Sequence, residues 1–89
     1  MANAINDDAL TKVAGGAKNM LVIGTASVIT DNLNIREKPD KESRWLGQTS
    51  YPAKYNVYEI VQHQGYIWYC IADDMWIAND GTWVHFSAK

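Results

Sequence analysis

The chain has 89 residues, 47% hydrophobic and 20% charged, with eight basic and ten acidic side chains and a net charge of −2. That balance describes one globular domain, not a disordered tail or a multidomain enzyme. It offers no basic cluster to hold a polyanion, so nucleic acid is excluded as an expected partner. The longest apolar run, Met20-Leu21-Val22-Ile23, is far short of the roughly 20 residues that a membrane span needs. A chain this short buries only about 60% of its unfolded surface, which favours a groove or an exposed patch over a deep active site. Its single cysteine, Cys70, forbids an internal disulfide and leaves the compartment open.

Residues 1–16 stand apart from the rest. All ten aromatic side chains fall between Trp45 and Phe86, and the first sixteen positions hold none. Ile5, Ala9, Leu10 and Val13 share one face of a short helix that Asn6 or Asp7 caps and Gly15-Gly16 ends. Fewer than about 12 residues make only a marginal helix in water, so the segment is expected to be flexible or marginally helical. It lacks the basic start and apolar run of a Sec-type signal. The run Asp7-Asp8-Ala9-Leu10-Thr11-Lys12-Val13-Ala14-Gly15-Gly16 resembles instead a double-glycine leader of bacteriocins and related peptides of Gram-positive bacteria. In that family a peptidase domain fused to an ABC exporter grips apolar leader positions and cuts after the second glycine. Val13, Leu10 and Ile5 match the apolar positions four, seven and twelve residues back from the cut, counting Gly16 as residue one. The acidic residue common before the middle position is displaced here to Asp8, with Ala9 in its place. The resemblance implies cleavage after Gly15-Gly16 and a mature chain beginning at Ala17. The plain structural alternative is a frayed helix with a glycine C-cap.

Residues 17–25 form a linker or N-terminal strand, and Met20 to Thr30 is apolar, small or β-branched, as a strand or extended arm requires. Asp31-Asn32 bends the chain. In Leu33-Asn34-Ile35-Arg36-Glu37-Lys38-Pro39, Leu33 and Ile35 share one face of a strand and Asn34 and Arg36 the other, until Pro39 stops the ladder. A polar loop from Pro39 to Ser43 leads to a second short strand, Arg44 to Gln48, and a loop around Pro52 follows. Tyr55 to Gln62 is the clearest strand, rich in β-branched and aromatic residues. His63-Gln64-Gly65 turns it into Tyr66 to Ala72, which is apolar on both faces: Ile67, Tyr69 and Ile71 on one, Trp68, Cys70 and Ala72 on the other. Such a strand is covered on both sides, or one side carries a binding surface. Asp73-Asp74 fits a hairpin loop into Met75 to Ala78, and Asn79-Asp80-Gly81 is a stronger hairpin signal into Thr82 to Phe86. Six or seven short strands with tight turns define an all-β fold, a small antiparallel β-barrel.

Leu33-Asn34-Ile35-Arg36 with its following proline, then Trp45-Leu46-Gly47, Tyr58-Glu59-Ile60, Gly65-Tyr66-Ile67-Trp68-Tyr69-Cys70-Ile71 and Trp76-Ile77, resemble in order and spacing the bacterial SH3 (SH3b) domains. The resemblance covers about residues 26–86 and implies an SH3-like barrel over residues 26–89. Lys38 replaces the usual glycine before proline, and Trp83 to Phe86 is the closing strand instead of, or in addition to, Trp76-Ile77. SH3b domains are non-catalytic modules that bind cell-wall peptidoglycan through its peptide stem or cross-bridge.

Chemistry-bearing residues are few. Cys70 lies in an apolar strand and reads as a buried inert thiol, and with His63 and His85 it misses every compact zinc spacing, so neither a metal nor a cofactor is expected. Asp73 and Asp74 read as a solvated turn. The aromatic side chains exceed what so small a core hides, and rings with polar edges suit stacking on sugars or packing along a peptide. Tyr51, Tyr55, Tyr66 and Trp76 fall at turns or strand ends beside a groove, Trp68 or the opposite Tyr69 face points outward, and Arg36 faces away from the core; with Trp68 they form the expected ligand-binding set. The leading expectation is a secreted or wall-associated monomeric SH3b module that binds peptidoglycan after removal of its leader, with an exporter as a second partner. The alternatives are an interaction module for an extended peptide, a bacteriocin-like antibacterial product, and, as the enzymatic class, a Cys70-dependent wall hydrolase.

Overall fold

The computed structural model describes residues 21–89. The 1–16 segment, with Ile5, Leu10, Val13, Gly15 and Gly16, lies outside the described residues. Within them every regular element is a strand: β1 (Gly24–Val28), β2 (Asn34–Arg36), β3 (Trp45–Gln48), β4 (Ala53–Val57), β5 (Glu59–His63), β6 (Tyr66–Ala72), β7 (Met75–Asn79) and β8 (Val84–Ala88). They form two antiparallel sheets, a three-stranded one in the order β4-β1-β8 and a five-stranded one in the order β3-β2-β7-β6-β5. The fold is all-β and SH3-like, with ladders that do not close into a continuous barrel. No helix among the described residues is long and apolar enough to cross a membrane.

The main core lies between the sheets and follows from period-two alternation. Ala26 and Val28 of β1, Val57 of β4 and Val84 of β8 meet Tyr69 and Ile71 of β6 and Ile77 of β7, with Leu33 just before β2. Leu33 is buried and Ile35 packs against the same cluster, whereas Asn34 is exposed, as the alternation predicts. The Tyr69 ring stacks on Phe86 of the other sheet at 5.4 Å between centroids and 13° between planes. Each fully buried Val, Leu or Ile contributes about 1.5–3 kcal/mol of transfer free energy.

Small residues in β1 allow this contact. Ala26 lies opposite Phe86 in the ladder, and a Cβ on Gly24 would run into the Phe86 ring and stand 2.6 Å from the Ser87 carbonyl oxygen. Gly24→Ala is therefore expected to destabilise the fold by about 2 kcal/mol or more, as overpacking does. Urea unfolding checks this: Phe86→Leu should recover part of the loss in the double variant, and a Gly24→Ala midpoint equal to wild type would refute the contact.

Two sequence expectations change. The continuous strand from Tyr55 to Gln62 is two strands that break at Tyr58. Tyr58 N donates to Cys70 O at 2.9 Å, while β4 pairs with β1 and β5 with β6. The chain thus passes from one sheet to the other at that residue. The Asn79-Asp80-Gly81 stretch is likewise a crossing and not a hairpin, since β7 pairs with β2 and β6 and β8 pairs with β1. The other turns stand as read. Gln64 and Gly65 have φ of 57° and 80° in the turn between β5 and β6, and Asp74 has φ of 56° between β6 and β7. Both Trp76-Ile77 and Val84 onward lie in strands. Of the 17–25 stretch, residues 17–20 lie outside the described residues; β1 begins at Gly24, and Ile23 N already donates to Val57 O at 2.8 Å.

Candidate binding cleft

The outer face of the five-stranded sheet carries a second small cluster, Trp68, Cys70 and Trp76, with Val61, Tyr66 and Ala78 packed against it. Register explains the set: Trp68 lies opposite Val61 and Ala78, and Cys70 opposite Trp76. From Trp68 to Ile71 strand β6 is thus covered on both faces, with Trp68 at 2% and Tyr69 at 4% exposure, whereas Ile67 near its start is 38% exposed.

Beside this cluster opens a cleft of ≈ 330 Å³. Trp68, Ala78 and Tyr66 form part of its lining together with Asn34 and Arg36 of β2, Thr30 to Leu33, Lys41 and Trp83. The Trp83 ring, from the segment before β8, stacks on Tyr66 at 5.7 Å and 20°, and Tyr66 meets Trp68 edge to face at 6.3 Å and 76°. The indole N–H of Trp68 donates to the His63 carbonyl at 3.1 Å. Three rings from two elements are locked together with few free torsions, which lowers the entropic cost of contacting a ligand.

Asn79 sets the position of Trp83. It is 6% exposed, and its Oδ1 accepts from the amides of Gly81, Trp83 and Val84 at 2.9, 3.2 and 3.1 Å. Its Nδ2 donates to Val84 O at 3.0 Å. The side chain thereby satisfies the backbone of the crossing, which no ladder serves there.

The 37–44 loop carries Lys41 to the cleft and is tied to the β5–β6 turn. Lys41 N donates to Gln64 Oε1 at 2.9 Å, and Gln64 Nε2 donates to Asp40 Oδ1 at 3.3 Å. Within the loop Glu42 N donates to Asp40 Oδ1 at 2.8 Å, and Arg36 Nη1 donates to Ser43 O at 2.9 Å. His63 Nε2 stands 3.9 Å from Asp40 Oδ2, with both side chains about half exposed. The Glu42 amide holds the Asp40 carboxyl below the ordinary aspartate range; desolvation opposes it as the next largest effect, and Gln64, His63 and Arg36 each add a smaller lowering. A depressed folded value means that this stabilisation is present above the unfolded pKa of about 3.9 and is lost as pH falls through the folded value. Asp80 is lowered in the same direction by the Thr82 hydroxyl and amide. Asp40→Asn should therefore flatten the acid limb of the urea midpoint between about pH 5 and pH 2 without abolishing it. An acid limb identical to wild type would show that Asp40 carries no such coupling.

The expected ligand-binding residues divide. Arg36, Tyr66 and Trp68 line the cleft. Tyr51, 54% exposed, lines a separate shallow apolar hollow with Ile29, Pro52 and Lys54. Tyr55 packs against the main core. Trp76, placed by the sequence at a strand end bordering the groove, is 5% exposed within the second cluster and is absent from the cleft lining. Sequence reasoning did not assign Trp83 and Lys41 to a site. Trp83 was visible as a large ring directly after a turn signal, but its neighbour Tyr66 is seventeen positions away.

Cys70 is buried and free of disulfide bonding, and its Sγ lies 3.0 Å from Ala72 O. Among the described residues no group of three or more His, Cys, Asp or Glu side chains could hold a metal ion. What the cleft offers is binding chemistry: a wall of stacked rings, the cationic groups of Arg36 and Lys41, the carboxylate of Asp31 and the amides of Asn32 and Asn34. Comparisons of the chain with models of known protein families, with curated proteins and with solved structures return no match.

Proposed function

We propose that the chain is a non-catalytic SH3b-type module that binds bacterial peptidoglycan through this cleft, exported after removal of a double-glycine leader. The observation that carries the reading is the cleft itself, a ring wall facing both cationic and anionic side chains. A short peptide with a free amine and a carboxylate, the chemistry of a stem or cross-bridge, has small apolar side-chain groups for the rings and opposite charges for Asp31 and for Arg36 or Lys41. The sequence resemblance to SH3b domains and the SH3-like, all-β architecture point to the same class. Placing the product at the wall of a Gram-positive cell follows from the Gly15-Gly16 leader reading.

The test is co-sedimentation with purified Gram-positive sacculi. Wild type is expected in the pellet, and Trp83→Ala, which removes half of the stacked pair, should weaken retention at least about tenfold, as loss of an aromatic anchor does. A wild-type chain that stays in the supernatant defeats the reading. The export step has its own readout: the intact mass of protein recovered from culture medium should begin at Ala17, and a mass that includes Met1 to Gly16 rejects processing.

A further inference from the structure

The outer face of β2 and β3 carries an aromatic side chain that neither the core nor the cleft uses. Trp45, the first residue of β3, is 55% exposed. Its ring is nevertheless held in place: the indole N–H donates to Asn34 Oδ1 at 3.0 Å, and Gln48 Nε2 donates to the same oxygen at 3.3 Å. Gln48 Nε2 also reaches Asn32 O at 3.3 Å. The β2–β3 register places Trp45 opposite Arg36 and Gln48 opposite Asn34. Arg36, Asn34 and Asn32 are themselves lining residues of the cleft. One surface therefore runs from the Tyr66–Trp83 stack, across Arg36 and Asn34, to Trp45.

A solvent-facing indole whose polar atom is already engaged presents to a ligand only its apolar face. Around it stand the amides of Gln48 and Asn34, which donate to and accept from hydroxyl and acetamido groups, and the guanidinium of Arg36, which donates to them. A flat apolar platform ringed by uncharged amides and one cation matches a pyranose, whose axial C–H bonds form an apolar face and whose equatorial substituents form a polar rim. An extended apolar peptide has no flat apolar face with a polar rim to lay on the indole, so it matches this platform less well.

We propose that Trp45 is a sugar-stacking subsite, separate from the peptide cleft but continuous with it, that takes an N-acetylhexosamine ring of the glycan strand. The assignment rests on the wall-binding reading for the identity of the sugar, and on the geometry of Trp45, Asn34 and Gln48 for its class. Asn34 is the positioning residue of this subsite, since its carboxamide oxygen orients the ring through the indole N–H.

The test uses a soluble β-1,4-linked N-acetylglucosamine tetramer as probe and follows the four indole N–H resonances of the full chain by NMR, with that of Trp45 assigned from its absence in Trp45→Phe. Titration should shift the Trp45 resonance selectively. Trp45→Ala should weaken tetramer binding at least about tenfold, Trp45→Phe should retain part of it, and Asn34→Ala should weaken it while the ring stays present. Trp45 is exposed, so these variants are expected to fold, and an unchanged urea midpoint checks that they do. A titration that leaves the Trp45 resonance unmoved, or equal tetramer affinity in Trp45→Ala and wild type, overturns the subsite. Retention on sacculi separates the two readings. Wild type that binds sacculi but not the tetramer defeats the sugar site alone. Wild type that binds the tetramer through Trp45 but ignores sacculi supports the sugar site and defeats wall binding.

Discussion

Trp68→Ala should be among the most destabilising single substitutions in the described domain. The side chain is 2% exposed, packs with Cys70 and Trp76, meets Tyr66 edge to face and donates its indole N–H to His63 O. Truncating a buried tryptophan costs about 3–5 kcal/mol through lost transfer free energy and an unfilled cavity. Against the total of about 5–15 kcal/mol available to a domain, with small domains at the lower end, that loss brings the folded state close to balance. Urea unfolding at neutral pH should show a midpoint reduced by half or more, on the order of the ratio of those two energies. Trp68→Phe keeps most of the apolar volume and loses the indole N–H, so it should cost only about 1–2 kcal/mol, from the smaller buried ring and the lost hydrogen bond together. If the alanine variant lay within about 1 kcal/mol of wild type, the change expected of a surface position, the second cluster would not be the packed structure described.

The second large effect belongs to Asn79. Replacing it with alanine removes one acceptor from three amides and one donor from the Val84 carbonyl. Gly81 is exposed and its amide regains water, but Val84 is 4% exposed and Trp83 is half-buried. At about 1–3 kcal/mol for each buried group left unsatisfied, the expected loss is roughly 3 kcal/mol. Asn79→Asp keeps the acceptor and sets its second oxygen against the Val84 carbonyl, so it should recover only part of that loss. The structural signature is as informative as the energy. Without the Asn79 contacts the 80–83 segment no longer holds Trp83 on Tyr66, and near-ultraviolet circular dichroism should lose the contribution of the stacked pair. A variant with wild-type stability and an unchanged aromatic spectrum would remove Asn79 from its role in building the cleft.

Asn79 also shows where local reading of the sequence stops. Asn79-Asp80-Gly81 has hairpin chemistry, and a turn does form there, yet the two strands that flank it belong to different sheets. The information that redirects the chain lies in β1, whose edge accepts β8 in the register Val28↔Val84 to Gly24↔Ala88. Tyr55 to Gln62 makes the same point. Strict alternation would put Tyr55, Val57, Glu59 and Val61 on one face. Tyr55 and Val57 belong to the main core, whereas Val61 packs against the Trp68 cluster on the outer face. The face changes at Tyr58, where the amide leaves the β4 ladder for Cys70 O. A pattern of apolar and polar residues carries no mark of that exchange, because both strands are built from the same β-favouring residues.

The candidate site was legible to a similar depth. Composition announced a surplus of rings, and strand parity placed Arg36 on the outer face. Exposure, however, depends on what lies across the sheet from each ring. Trp76 is buried because Cys70 stands opposite it in register and Trp68 packs in the same cluster, and Tyr51 lies with Ile29 and Pro52 in another hollow.

By itself, then, the sequence determined the class of fold, the approximate limits of most strands, the tight turns at Gln64-Gly65 and Asp73-Asp74, and the inward face of Leu33 and Ile35. These are local properties, set by alternation over a few residues and by the φ values that turn residues tolerate. Only the tertiary structure decided which strands share a sheet and how Trp83 comes to rest on Tyr66. It alone decided that Trp45 stands exposed and oriented beside Asn34. Those outcomes depend on register and on contacts between residues far apart in the chain, which are selected by the packing of two sheets around one core and not by any single segment.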